Sequence, residues 1–184
     1  MRKEFKPNSW LYPMPVLIIG TYDKDDKANA MNAAWGGMYD YNKVIIAVSS
    51  HKTTENFKVH KAFTLSFATK KTVEASDYVG IVSQNQEPNK IQKAGLTPMM
   101  ANKVHAPVFK EYPLTLECEI EKYDEEEGFV IGKIVNISVD EEYVENGSVN
   151  TDKLEALVFD PIKLKYRKVG EVVADAFKVG AKLK

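Results

Sequence analysis

Two short stretches of this chain hold the residue types that can do chemistry. The first is "NAMNAAWGG", Asn29 to Gly37. Ala33, Ala34, Gly36 and Gly37 carry little or no side chain, so a flat molecule can approach the backbone closely there. Backbone N–H and C=O groups, with the amides of Asn29 and Asn32, match the donor and acceptor edge of a heterocycle. Trp35 offers an aromatic wall beside it. The same residues also suit a plain strand packed against a neighbour with Trp35 in the core, and small residues more often serve packing. Taken alone, this stretch leaves both readings open.

The second stretch is "SSHKTTENF", Ser49 to Phe57. A strand end rich in hydroxyls runs into a His-Lys pair and then a helix start. Free N–H groups, the positive end of the helix dipole, the hydroxyls of Ser49, Ser50, Thr53 and Thr54, and the charge of Lys52 together suit a phosphate. Ordinary helix capping accounts for the same residues. Walker-type glycines and a dinucleotide fingerprint are both absent, so a nucleotide would be held another way.

Other reactive side chains point to bland roles. His51, His60 and His105 have no metal-ligand spacing, which predicts surface histidines rather than a zinc set. Cys118 falls on the apolar face of a strand, where buried packing is expected rather than redox chemistry. No acid–base or nucleophile constellation is visible, and the runs "DEEE" and "DEE" read as solvated loops. The formal net charge of -1 gives no overall field toward nucleic acid or an anionic membrane, so neither is expected as a partner. The opening "MRKEFKPNSW" has charge but no apolar centre, and no apolar run is long enough to span a bilayer. With a lone cysteine, the expectation is a cytoplasmic protein.

Strands must position these stretches. A chain of 184 residues predicts a single domain over residues 1–184. Apolar or alternating runs at 14–22, 43–50, 62–69, 113–123 and 128–140 read as strands. In 62–69, Phe63, Leu65 and Phe67 point one way and Thr64, Ser66 and Ala68 the other. In 128–140, Phe129, Ile131, Val135, Ile137 and Val139 are expected on one face. The link "DEEEG" predicts an antiparallel hairpin between the last two runs. A final strand is expected near 156–170, with Pro161 forcing a break or an edge. Short helices are predicted after a Thr53 or Thr54 cap, over 72–83 with Thr72 as cap, and over 87–95 between Pro88 and Gly95. Residues 141–152 read as an exposed acidic loop. The expected fold is mainly β with short helices, an antiparallel barrel or curved sheet.

In order along the chain, "YPMPVLIIGTY", "NAMNAAWGG", "VIIAVSSHKTTENF" and "AFTLSFAT" resemble the flavin reductase-like proteins, most closely the flavoredoxin branch. "SDYVGIVS", "PNKIQKAGLT", "PLTLECEI" and "YRKVGE" agree, so the resemblance covers nearly the whole chain. It implies an FMN-binding split β-barrel of antiparallel Greek-key type and a homodimer. It also implies an oxidoreductase that takes electrons from a nicotinamide or a redox-protein donor, or a non-enzymatic FMN electron carrier or storage protein. Carried over by position, Asn32, Ala33, Ala34 and Trp35 would line the isoalloxazine. Ser49, His51, Lys52 and Thr54 would hold ribityl and phosphate groups, and Lys90 would reach the phosphate. The His51-Lys52 pair departs from the arginine or plain Ser/Thr pair of many relatives, and no nicotinamide site is recognisable.

Overall fold

The structure is a computed structural model and describes residues 1–183. In chain order the strands are β1 (Met14–Pro15), β2 (Leu17–Tyr22), β3 (Ala28–Ala33), β4 (Gly36–Asp40), β5 (Lys43–Ala47), β6 (Ala62–Phe67) and β7 (Pro98–Met100). They continue with β8 (Pro107–Phe109), β9 (Leu114–Asp124), β10 (Phe129–Val139), β11 (Val144–Glu145), β12 (Ser148–Val149), β13 (Leu157–Asp160) and β14 (Lys165–Lys168). The α-helices are α1 (Lys52–His60), α2 (Val73–Ile81), α3 (Lys90–Lys93) and α4 (Thr151–Leu154). None is long and apolar enough to cross a membrane.

Seven strands form one antiparallel sheet in the order β3-β2-β6-β9-β10-β5-β4. Its two outermost strands, β3 and β4, are joined only by Ala34 and Trp35. A link that short spans at most about 11 Å, so the two edges of the sheet must curl round to face each other. The result is a split barrel whose seam runs along the Ala34–Trp35 link. Connectivity alone forces this.

Two cores follow from the curl. Inside it, Leu17, Ile19, Val44, Ile46, Phe57, Phe63, Leu65, Cys118 and Val130 pack together. Outside it, Val16, Ile18, Ala30, Val79, Ile91, Phe109 and Tyr112 form a second layer under α2 and α3. β2 is therefore buried on both faces, which explains its unbroken apolar sequence. A three-stranded sheet, β1-β13-β14, hangs in front of the seam through the pairs Met14↔Phe159 and Pro15↔Val158.

The expected strands and the "DEEEG" hairpin are present, with Asp124 paired to Phe129. The face of β6 opposite Phe63 and Leu65 is buried as well, with Thr64 donating to the Pro107 carbonyl and Ser66 bonding Thr115 on the neighbouring strand at 2.8 Å. Several expectations need correction. Ile137 is exposed, because register shifts at Ile131/Gly132 and Ile134/Asn136 rotate β10 between its ends. Residues 141–152 hold a small β11–β12 hairpin over a buried Tyr143. The cap of α1 is His51, two or three positions before the threonines. Pro161 does break the final strand, as expected: it sits in the turn between β13 and β14, where the Asp160 carboxylate accepts the N–H groups of Ile162 and Lys163.

Candidate functional site

The seam opens into a cleft of about 630 Å³, within the size range of ordinary cofactor sites. Its floor is the end of β3 and the start of the link, Met31, Asn32, Ala33 and Ala34, with Trp35 exposed at the rim. One wall is the C-terminal half of α2, through Asp77, Gly80 and Ile81. The opposite wall runs from the end of β5 to the start of α1 through Ala47, Val48, Ser49 and His51, with Gly128 of the β9–β10 turn beside them. Phe159 and Tyr166, cross-strand partners in the β13–β14 hairpin, cover the front.

Close backbone approaches build these walls. Gly80 brings α2 so near β3 that a Cβ there would lie 2.9 Å from the Asn32 Cβ. The Asn32 amide completes that contact by donating from Nδ2 to the Ser76 carbonyl at 2.9 Å. Gly128 takes a left-handed φ of +70°, which lets its carbonyl accept the Val48 N–H at 2.9 Å. Ala47 N–H donates to the Trp35 carbonyl at 2.8 Å, tying the link to the opposite edge.

The cleft contains one firmly held proton. The Tyr166 hydroxyl donates to Asp77 Oδ1 at 2.7 Å. Burial, followed by the Asp77 carboxylate, pushes this phenol up to about 12. It stays a neutral donor at physiological pH.

A second, smaller cavity of about 200 Å³ continues from the cleft past Asn32, His51 and Gly80. It is lined by Lys52 and Thr53 at the start of α1, by Ser83 and Gln84 after α2, and by Lys90 of α3. The Lys90 side chain is 3% exposed, and among the described residues no carboxylate comes within ion-pair distance of it. Burial alone lowers its pKa to about 8. Lys52 is a different kind of cation, with Asp23 at 3.9 Å and Glu55 at 3.7 Å. Asn29 and Gln84 each donate inward, to Thr53 Oγ1 and to the Ala28 carbonyl, and leave buried acceptor oxygens without a partner.

The structure brings together eight of the nine residues singled out from the sequence. Asn32, Ala33, Ala34, Trp35, Ser49 and His51 line the cleft, and His51, Lys52 and Lys90 line the smaller cavity. Ser49 Oγ and His51 Nε2 lie 2.8 Å apart. Thr54 lines neither space. Its hydroxyl is occupied at the start of α1, donating to the His51 carbonyl and accepting the His51 N–H. Thr53 takes the position at the cavity instead. Asp77, Gly80, Phe159 and Tyr166 were missed; a glycine inside the helical pattern of 72–83 was the one visible signal among them. His60 and His105 stand outside the cleft, brought together with Asp26 by the fold.

The flavin reductase-like domain model matches residues 9–165, most of the chain. The chain belongs to the flavin reductase-like family. Its structure is similar to the flavoredoxin of Desulfovibrio vulgaris (Miyazaki F), with a TM-score of 0.93 and 32% identity over 98% of this chain and 100% of that one. The flavoredoxin of Methanosarcina acetivorans aligns with a TM-score of 0.89 and 27% identity, covering 100% of both chains. An uncharacterised protein of Pyrococcus abyssi is 27% identical over 144 residues, 76% of this chain and 82% of that protein.

Proposed function

We propose that this protein is an FMN-binding oxidoreductase, with the isoalloxazine in the seam cleft and the phosphate in the cavity of Lys52 and Lys90. One observation carries the reading: Lys90 is a buried cation with no counter-charge among the described residues, at the far end of a cleft floored by small residues. A buried charge is costly unless paired, so the cavity is suited to an anion. The N–H groups at the start of α1 add donors to the same place.

FMN, when bound, supplies hydride acceptance and electron transfer that no side chain offers. The chain's residues position and shield it. Ala33 and Ala34 allow close approach, Trp35 and Phe159 form apolar walls, and Gly80 holds α2 against the floor. Asn32 commits its N–H to Ser76, while Tyr166 keeps its proton on Asp77. Electrons would enter from a nicotinamide or a redox protein and leave to a flavin, protein or metal acceptor.

A carrier role without its own nicotinamide reaction is the second reading. It is favoured by the exposure of Trp35, 57%, at the rim of the cleft, where a protein partner can reach the ring system. Anaerobic titration separates the two. FMN should bind in one equivalent per chain and bleach with NADH or NADPH. Bound FMN that responds only to a reduced protein donor establishes the carrier, and no FMN binding removes both readings.

The reading includes a homodimer. The edge strand β4 presents Met38 and Tyr39 to solvent beside Trp35, and Leu11 of the N-terminal segment lies exposed near the same rim. Exposed apolar side chains at an open sheet edge suit a second copy.

A further inference from the structure

We propose that Asp26, His60 and His105 form a binding site for a divalent transition-metal ion, with Zn²⁺ the best-matched occupant. The residues come from three separate elements: the turn between β2 and β3, the last residue of α1, and the loop between β7 and β8. Their donor atoms all lie within 4.8 Å of one another. Both imidazoles turn Nε2 toward the same carboxylate oxygen, Asp26 Oδ1, at 2.7 Å for His105 and 3.7 Å for His60.

The distances fit a closed coordination shell. Ligands about 2.0–2.1 Å from a tetrahedral ion stand roughly 3.3 Å apart. Modest rotations of the exposed Asp26 and His105 side chains bring the three donors to that spacing. His60 Nε2 donates to the Asp23 carbonyl at 3.0 Å, a hydrogen bond that metal binding would replace. Exposure of Asp26 and His105 leaves room for water at any remaining position.

Hydrogen bonds hold each ring separately, His105 to the Asp26 carboxylate at 2.7 Å and His60 to the Asp23 carbonyl at 3.0 Å, and together they leave three ligand atoms within 4.8 Å of one another. The two rings lie with centroids 4.3 Å apart at a tilt of 38°, and Tyr22 lies against His105 at 5.5 Å. A single divalent ion satisfies both nitrogens and the carboxylate at once. Coordination through Nε2 requires both rings to carry their proton on Nδ1, so His105 gives up its hydrogen bond to Asp26 and His60 its hydrogen bond to the Asp23 carbonyl. Two imidazoles and one carboxylate suit Zn²⁺, Cu²⁺ or Ni²⁺ and disfavour the all-oxygen shells of Mg²⁺ and Ca²⁺. The site shares no lining residue with the flavin cleft.

The test is calorimetric titration of chelator-stripped, tag-free protein with Zn²⁺, followed by Co²⁺ absorption to read the ligand field. The expected result is one equivalent of Zn²⁺ per chain and visible Co²⁺ bands typical of low coordination. His60→Ala and His105→Ala should each weaken binding by about a hundredfold or more, since even outer-shell changes at metal sites cost roughly 10–100-fold. His105 is exposed enough that His105→Ala should melt like the parent without metal, so it decides the matter if His60→Ala folds poorly. Substoichiometric binding by the parent, or unchanged affinity in His105→Ala, overturns the proposal.

Discussion

Burying the Lys90 ammonium costs the protein free energy that nothing around it returns. A drop from 10.5 to about 8 corresponds to roughly 3 kcal/mol, at about 1.4 kcal/mol per unit. The sign comes from proton counting. Between about pH 8 and 10.5 the unfolded chain holds a proton that the folded apo-protein lacks, so apo stability rises with pH across that window. Below about pH 8 the full penalty remains. Lys90→Met should therefore raise apo stability at pH 7 by about 1–3 kcal/mol in urea denaturation, whereas an ordinary structural lysine would lose stability on the same change. FMN affinity should fall as pH rises above about 8, up to roughly tenfold per unit, because the phosphate favours the charged lysine. Riboflavin affinity should stay flat. A residue's type was readable from the sequence here, but its burial was not: Lys90 was placed by resemblance, and Thr54 looked as good a ligand as Thr53 until the cap geometry separated them.

At the scale of elements, the link Ala34–Trp35 and helix α2 define the cleft from opposite sides. Ala34 is only partly buried and lines open space. Ala34→Leu should leave the apo melting free energy within about 1 kcal/mol of the parent while strongly weakening FMN binding. Gly80→Ala should do the reverse first. Helix propensity favours alanine by about 1 kcal/mol, but a Cβ 2.9 Å from Asn32 forces α2 off β3. The expected net is a loss of about 1–2 kcal/mol in apo stability, with weaker FMN binding as the wall shifts. Inside the barrel, Cys118 is fully buried, and burial, then Glu117, pushes its thiol up to about 12. Its labelling by a thiol reagent should follow global unfolding; rapid labelling of folded protein would contradict the packing. Alternation made β6, β9 and β10 legible as strands. It did not show which faces were solvated, because α2, α3 and the β7–β8 loop cover what a simple sheet would expose. The bulges in β10 carry no signature that reaches beyond local residues.

For the whole molecule, the strand pattern led to a barrel or curved sheet, and what it did not reveal is where the sheet closes. "NAMNAAWGG" looked like one unit, yet it spans both edges of the sheet, and only pairing order reveals that the edges must meet. That meeting creates the cleft. His60 and His105 illustrate the same limit, since sequence spacing says nothing about rings brought together by three distant elements. The exposed apolar surface of β4 beside the seam predicts a homodimer, and sedimentation at micromolar concentration should show a dimer; a monomer with FMN fully bound would remove that part of the account. The central claim is that the cleft holds FMN with its phosphate at Lys90. The ratio of FMN to riboflavin affinity, read by fluorescence quenching for the parent and for Lys90→Met, tests it most directly. A charge-assisted contact of about 1.5–3 kcal/mol corresponds to roughly a tenfold to hundredfold preference. The parent should prefer FMN by at least tenfold, and Lys90→Met should lose most of that preference with riboflavin affinity unchanged. An equal preference for FMN in both proteins would place the phosphate elsewhere and contradict the account.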